Sequence, residues 1–125
     1  MTARGNDNQA SDRFRRELAR GTVELAVLAL LGSGQKYGYE LLAELNDVSG
    51  GVPEIKEGTL YPLLHRLEDA GHIQSTWHAI ERNPPRKYYL LTDAGQTQLS
   101  LLKDEWSRLV AGMRRVLRSV EGAAG

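Results

Sequence analysis

Several residue types are missing or scarce in this chain, and each absence excludes a class of function. Cysteine does not occur in the 125 residues, which excludes disulfides, cysteine nucleophiles and thiolate metal sites and suits the reducing cytoplasm. The N-terminus holds no apolar run of signal-peptide length. The longest apolar run, Leu25 to Leu31, is far shorter than the roughly 20 residues that span a bilayer. We therefore expect a cytoplasmic chain with no membrane segment and one modest hydrophobic core.

Catalytic and metal-binding patterns are also absent from the sequence. The three histidines, His65, His72 and His78, are spaced by seven and six residues across a predicted helix and strand, which does not gather ligands on one face. No glycine-rich phosphate loop and no serine–histidine–aspartate arrangement occurs. We predict that the protein is not an enzyme and uses neither a metal nor a cofactor.

The charges are balanced overall but unevenly distributed. The formal net charge is zero, from 16 basic and 16 acidic residues, whereas DNA-binding domains usually carry an excess of basic charge. Residues 1–22 carry five arginines against three acids, and residues 72–91 carry three basic side chains against one acid. Residues 23–71, by contrast, carry three basic and eight acidic side chains. Basic charge is thus concentrated in an N-terminal segment and in a later loop, where it favours contact with phosphate.

Three short helices are predicted in the first half of the chain. From Thr22 onwards, leucine and alanine dominate a segment typical of a buried helix, which Gly32 ends. The segment Tyr37–Asn46 is amphipathic, with its leucines on one face. Thr59 is a candidate N-cap for a third helix that continues to about Ala70, because leucines follow it at helical spacing.

A β-hairpin and a long helix are predicted to follow. His72–Ile80 and Lys87–Leu91 are rich in β-branched and aromatic residues, and the polar segment Glu81–Arg86 with two prolines predicts the turn between them. Tyr88 and Tyr89 alternate across the second strand, so one is buried, and the sequence leaves open which. Thr92 is a candidate cap for the last helix. The fold class is therefore mainly α with a small β-hairpin, in the order of a winged helix-turn-helix.

The chain is accordingly divided into four parts. Residues 1–12 form an arm that we expect to lack regular structure, because they are polar and without periodicity. Residues 13–92 form the winged helix-turn-helix domain, residues 93–120 a C-terminal dimerisation helix, and residues 121–125 a frayed tail.

The last helix carries an apolar seam with strict heptad spacing. Its members are separated by three and four residues in alternation, and they are Leu99, Leu102, Trp106, Leu109, Met113, Val116 and Val120. The seam could pack on the core of its own chain, as most amphipathic helices do. We favour a homodimer interface, because a helix this long overhangs so small a core and would leave an apolar patch in water.

Three stretches of the sequence resemble the PadR family of transcriptional regulators. They are Gly21–Leu31 with Tyr37–Glu40, then Glu57–Glu68, and finally Arg86–Thr92 with Gly95. The resemblance covers about residues 18–118, and the single long helix after the hairpin is similar to the family's short branch. It implies a bacterial repressor that binds a palindromic operator as a dimer and, in many members, releases DNA when a small aromatic molecule binds.

Eight residues are predicted to contact DNA. On the third helix the leucines point inward, which leaves five side chains on the outer surface: Thr59, Tyr61, Pro62, His65 and Arg66. In the hairpin, three cations surround a stiff turn: Arg82, Arg86 and Lys87. The alternatives are that Thr59 only caps the helix, that Tyr61 packs under the hairpin, and that the charged turn is merely solvated.

Trp106 is a candidate effector-binding residue. Two-fold symmetry along the apolar seam would bring both copies of Trp106 together, where they could stack on a planar aromatic molecule; alternatively, Trp106 is only the largest side chain of the interface. We therefore predict a homodimeric repressor that binds double-stranded DNA. The alternative function is a winged-helix protein–protein interaction module without sequence-specific DNA binding. The arginine-rich segment Arg13–Arg20 is either an extra helix of the dimer or a tail along DNA.

Overall fold

Helices pack against one end of a small antiparallel sheet in the computed structural model. The structure describes the backbone of residues 2–51 and 54–124 and the side chains of residues 9–51 and 54–122. The elements in chain order are α1 (Thr2–Leu31), β1 (Lys36–Tyr37), α2 (Gly38–Val48), α3 (Glu57–Asp69), β2 (Ile73–Ile80), β3 (Asn83–Leu91) and α4 (Asp93–Ala124). This order confirms the predicted mainly helical fold with a hairpin between the third and last helices.

The core lies where the second half of α1, α2 and α3 meet the sheet. Four leucines of α3 are buried at the spacing expected for one helix face: Leu60, Leu63, Leu64 and Leu67. Val27 and Leu28 of α1 and Leu41 of α2 pack against them with no exposed surface. Because each such side chain contributes about 1.5–3 kcal/mol on burial, this cluster holds α3 in a fixed orientation.

Helix α1 is longer than the sequence predicted. It begins at Thr2, so residues 2–12, expected to lack regular structure, are helical, and the predicted start near Thr22 lies within the helix. The Thr22 hydroxyl donates to the carbonyl oxygen of Leu18 at 2.9 Å. Residues 9–18 are exposed, and the two large apolar side chains among them, Phe14 and Leu18, are too few to mark an amphipathic helix in the sequence. At the other end of the chain, α4 continues to Ala124, through the tail predicted to fray.

The start of α3 also differs from the prediction. Lys56 is the N-cap residue and the helix begins at Glu57, which places Thr59 inside the first turn, where its backbone N–H donates to the Lys56 carbonyl at 3.0 Å. The preceding loop is fixed by Asn46, whose side-chain amide donates to the Ile55 carbonyl at 2.8 Å and accepts from the Ile55 N–H at 2.8 Å. The loop geometry, and not a side-chain cap at Thr59, therefore determines where α3 begins.

The hairpin of β2 and β3, called the wing below, belongs to a three-stranded sheet of order β1-β3-β2. Its turn is tighter than predicted: Ile80 pairs with Asn83, and both prolines lie within β3 instead of in the turn. Arg82 takes a positive φ of 67° to close the turn. Of the two adjacent tyrosines in β3, Tyr89 is buried and Tyr88 is only partly buried, which answers the question that the sequence left open.

The start of α4 packs closely on the turn between α3 and β2. The predicted cap at Thr92 is confirmed, since its hydroxyl oxygen accepts from the Gly95 N–H at 3.0 Å and the hydroxyl donates to the Gly71 carbonyl at 2.6 Å. A Cβ added at Gly95 would overlap the carbonyl oxygen of His72. This close approach fixes the direction in which α4 leaves the domain.

Candidate nucleic-acid interface

The outer face of α3 carries all five side chains that the sequence singled out on this helix. The leucines are buried, and these five side chains are all exposed, together with the acids Glu57 and Asp69: Thr59, Tyr61, Pro62, His65 and Arg66. Pro62 is the sixth residue of α3 and lies inside the helix, so its missing N–H leaves the Gly58 carbonyl without the helical hydrogen bond that another residue would donate. A helix with hydroxyl, imidazole and guanidinium groups on one exposed side has the donors that base edges and phosphates accept.

Tyr61 both packs on the fold and faces the solvent. Its side chain is 42% exposed, and one edge of its ring lies against Gly38 at the start of α2. Burial raises the pKa of the Tyr61 hydroxyl, and the nearby carboxylate of Glu57 and the hydroxyl of Tyr89 raise it further. The hydroxyl therefore stays protonated at neutral pH and is able to donate a hydrogen bond.

His65 is accompanied by an acid on the same outer face. Its Nε2 lies 3.6 Å from an Asp69 carboxylate oxygen one turn later, and both side chains are exposed. The contact is an ion pair only when the imidazole is protonated. Asp69 at the end of α3 and Glu57 at its first position are both exposed acids that repel phosphate, so the part of this face suited to the DNA backbone lies between them.

The three predicted cations of the wing do not form one cluster. Arg82 is exposed at the turn, Arg86 lies across the sheet from His78, and Lys87 lies across from Trp77. Because side chains alternate along a strand, Arg86 and Lys87 point to opposite faces of the wing.

Each of the two strand cations has a partner within the fold. The Arg86 guanidinium lies 4.4 Å above the ring centre of Tyr37 on one face. On the other face, the Lys87 ammonium lies 3.5 Å from a carboxylate oxygen of Glu68. Among these three cations, Arg82 at the turn is thus the one with no partner in the part of the chain that the structure describes.

Glu68 joins the end of α3 to the wing. The Ser75 hydroxyl donates to one carboxylate oxygen and Lys87 approaches the other. The hydrogen bond from Ser75 lowers the pKa of the Glu68 carboxyl below its usual value. Burial alone would raise this pKa, but the positive charge of Lys87 lowers it further. The sequence pattern gave no sign of this link, because its members lie on three different elements.

The apolar seam of α4 divides into two parts. Leu99 is 3% exposed and lies in the core of its own chain, and Leu102 packs against that core. These two residues, predicted at the dimer interface, are therefore engaged within the domain. The remaining five are 43–62% exposed: Trp106, Leu109, Met113, Val116 and Val120. Four further large apolar side chains that the sequence analysis did not single out are also exposed on the two long helices: Phe14, Leu18, Leu101 and Leu117.

Known proteins share this arrangement of helices and wing. The profile of the transcriptional regulator PadR-like family matches residues 27–101, which include α2, α3 and the whole wing. The chain belongs to this family. A PadR family transcriptional regulator from Eggerthella lenta is 38% identical, with a TM-score of 0.78 over 90% of this chain and 96% of its own. The transcriptional regulator Rv3488 of Mycobacterium tuberculosis is 34% identical over 68% of this chain and 76% of its own length.

The negative transcriptional regulator PadR of Bacillus subtilis is also similar to this chain. It is 30% identical over 62% of this chain and 42% of its own length. Its crystal structure in complex with operator DNA has a TM-score of 0.59 and 29% identity, over 63% of this chain and 44% of that one. Members of the PadR-like family are transcriptional regulators and not enzymes. This PadR-like chain has no helix that is long and apolar enough to cross a membrane within its described residues.

The family match leaves two segments outside it. The first part of α1 precedes residue 27 and most of α4 follows residue 101. The first of these segments holds arginines that converge with Lys56 and Arg66 around a cavity beside α3. Sequence reasoning noted the arginines but not Lys56, because only the turn before α3 brings that residue to them.

Proposed function

We propose that this PadR-like regulator binds operator DNA as a homodimeric repressor, with α3 of each subunit in a major groove. The observation that carries the proposal is the outer face of α3, where polar and basic side chains are exposed above four buried leucines. The family membership and the operator complex of the Bacillus subtilis relative support it. Such a regulator works in the compartment that holds the DNA, the bacterial cytoplasm.

The dimer is supported by the exposed half of the α4 seam. Between Trp106 and Val120, large apolar side chains face water along one stripe of a helix that extends beyond the core. Stripes of this length are usually covered by another surface, and a second copy of the same stripe is complementary to it. Two-fold symmetry then presents two α3 helices to successive major grooves about 34 Å apart, which requires a palindromic operator.

A planar aromatic effector is proposed to bind between the subunits at Trp106. The indole is 43% exposed at the point where the seam leaves the core, so that a partner copy would face it. Stacking between two indoles favours a flat ligand, and the ligand weakens DNA binding only if it prefers one dimer arrangement over another. Quenching of Trp fluorescence that is lost in Trp106→Ala but kept in Trp77→Ala supports this site. Quenching that persists in Trp106→Ala contradicts it.

Fluorescence anisotropy with labelled duplexes tests DNA binding. Operator fragments selected from random DNA are compared with random duplex over a salt series, because phosphate contacts give a steep dependence of log affinity on log salt. We expect Arg66→Ala to weaken binding to the selected duplex by about tenfold, whereas Arg108→Ala on α4 leaves it unchanged. Equal affinity for selected and random duplexes, with no effect of Arg66→Ala, would favour the alternative of a protein–protein interaction module.

A further inference from the structure

A cavity opens between the middle of α1, the end of the loop before α3 and one face of α3. It has a volume of about 590 Å³ and is bounded by residues 12–23 on one side and residues 54–66 on the other. Small-molecule sites in proteins usually measure roughly 300–1,000 Å³, so the cavity has room for a ligand. It lies away from Trp106, which is not among its lining residues.

The floor of the cavity is apolar. Val23 of α1, Ile55 of the loop and Leu63 of α3 are buried side chains that reach it, and Ala19 is half-buried beside them. A surface of this kind gains little from water or from an inorganic ion. It favours the hydrocarbon part of a ligand.

The walls of the cavity are basic. The cavity is lined by two acidic residues, Asp12 and Glu54, and by five basic ones: Arg15, Arg16, Arg20, Lys56 and Arg66. Asp12 lies 3.7 Å from the Arg15 guanidinium and offsets its charge. Within the described part of the chain, none of the other four cations has an ion-pair partner. Their charge is therefore available to a ligand from outside.

We propose that this cavity binds a small organic anion, with a carboxylate or similar group among the cations and an apolar body on the floor. Charge-assisted hydrogen bonds from arginine and lysine are the strongest contacts that such an anionic group can make here. The apolar floor distinguishes this ligand from a backbone phosphate of DNA, which has no hydrocarbon part to cover Val23, Ile55 and Leu63. The site is separate from the seam at Trp106.

The position of the cavity gives the ligand a route to regulation. Thr59 and Arg66 line the cavity and also belong to the α3 face that we propose to contact DNA. A bound anion would occupy Arg66 and repel the phosphates nearby, so it would weaken DNA binding. This consequence rests on the proposed function, whereas binding of the anion does not require DNA.

Isothermal titration calorimetry on the full chain without DNA tests the site. The probes are 4-phenylbutyrate and its neutral amide, which share the apolar body and differ in charge. We expect the affinity for the anion to be about tenfold or more above that for the amide. R16Q/R20Q and Lys56→Gln should each lower the affinity for the anion by a similar factor. Arg13→Gln is the matched control, because Arg13 lies on the same helix but does not line the cavity.

Several results would overturn the proposal. They are an absence of heat with the anion at two well-separated temperatures, equal affinity for the amide, an equal loss of affinity for the anion in Arg13→Gln, or a loss of that affinity in Trp106→Ala. Sedimentation of R16Q/R20Q adds a further criterion: a change in oligomeric state would show that a second copy of the chain fills the cavity. Circular dichroism confirms that each variant keeps its helices, and Lys56→Gln repeats the test from the opposite wall.

Discussion

The ring of Tyr61 lies against Gly38 so closely that a Cβ at position 38 would lie 2.7 Å from its Cε1 and 2.8 Å from its hydroxyl oxygen. This contact joins the outer face of α3 to the first residue of α2. It explains why a partly exposed tyrosine keeps a defined orientation. The sequence offered packing under the hairpin or DNA contact for Tyr61; the ring packs on Gly38 of α2 instead, and its exposed side is free for the predicted DNA contact.

Gly38→Ala is expected to displace the Tyr61 ring and lower the free energy of unfolding by about 1–3 kcal/mol, as overpacking does. Gly58→Ala is the control, because a Cβ there meets nothing within 4 Å and an alanine in α3 should stabilise the helix by up to about 1 kcal/mol. Urea denaturation measures both. In a Tyr61→Ala background the cost of Gly38→Ala should largely disappear; an unchanged cost would show that the ring is not its cause.

The link from Ser75 and Lys87 to Glu68 predicts a pH dependence of stability. Since the pKa of Glu68 is lowered in the folded state, its contribution is fully present above the ordinary value of 4.5 and is lost as the pH falls through the folded value. The free energy of unfolding of wild type should therefore exceed that of Glu68→Gln above about pH 4.5, and the difference should shrink as the pH falls below this value. Ser75→Ala should move the Glu68 pKa back towards 4.5, as followed by carboxyl ¹³C NMR. A titration identical to wild type would remove Ser75 as the main cause.

The division of the wing cations predicts unequal effects on DNA binding. Arg82→Ala removes a free cation at the turn and should reduce the slope of log affinity against log salt by about one unit. Lys87→Ala should reduce it less, because its ammonium is already close to Glu68. The double variant Lys87→Ala/Glu68→Gln is the matched control, because it removes one positive and one negative charge and so leaves the local net charge unchanged. A larger effect for Lys87→Ala than for Arg82→Ala would show that DNA displaces Glu68 from the lysine.

Local sequence patterns predicted the helices and strands well where buried apolar residues recur at regular spacing. The spacing of Leu60, Leu63, Leu64 and Leu67 gave the inner face of α3, and the structure buries all four. The hydroxyl of Thr92 caps α4 as expected, because capping depends on neighbours in sequence. In both cases the decisive contacts are local or follow one helix face.

The predictions were wrong or incomplete where the local sequence shows no periodic pattern of buried residues. The exposed half of α1 has no buried stripe, so only the structure shows that it is helical. The heptad seam is continuous in sequence, yet spacing alone does not tell which surface covers each member, and the domain itself covers Leu99. The contact between Glu68 and Lys87 joins residues 19 positions apart, which no helical or strand period relates.

The two parts of the seam predict different outcomes for substitutions along one helix. Leu109→Asp with Val116→Asp places charges on the exposed stripe, where they cost little in a monomer but several kcal/mol in an apolar dimer interface. Sedimentation equilibrium should then show a folded monomer with unchanged helical circular dichroism. Leu99→Ala is the matched contrast: it empties a core position, so it should lower the free energy of unfolding by about 2–5 kcal/mol and leave the chain dimeric at low temperature. A dimer that survives the double aspartate variant would place the contact elsewhere, for which Phe14 and Leu18 on the exposed half of α1 are the next positions to substitute.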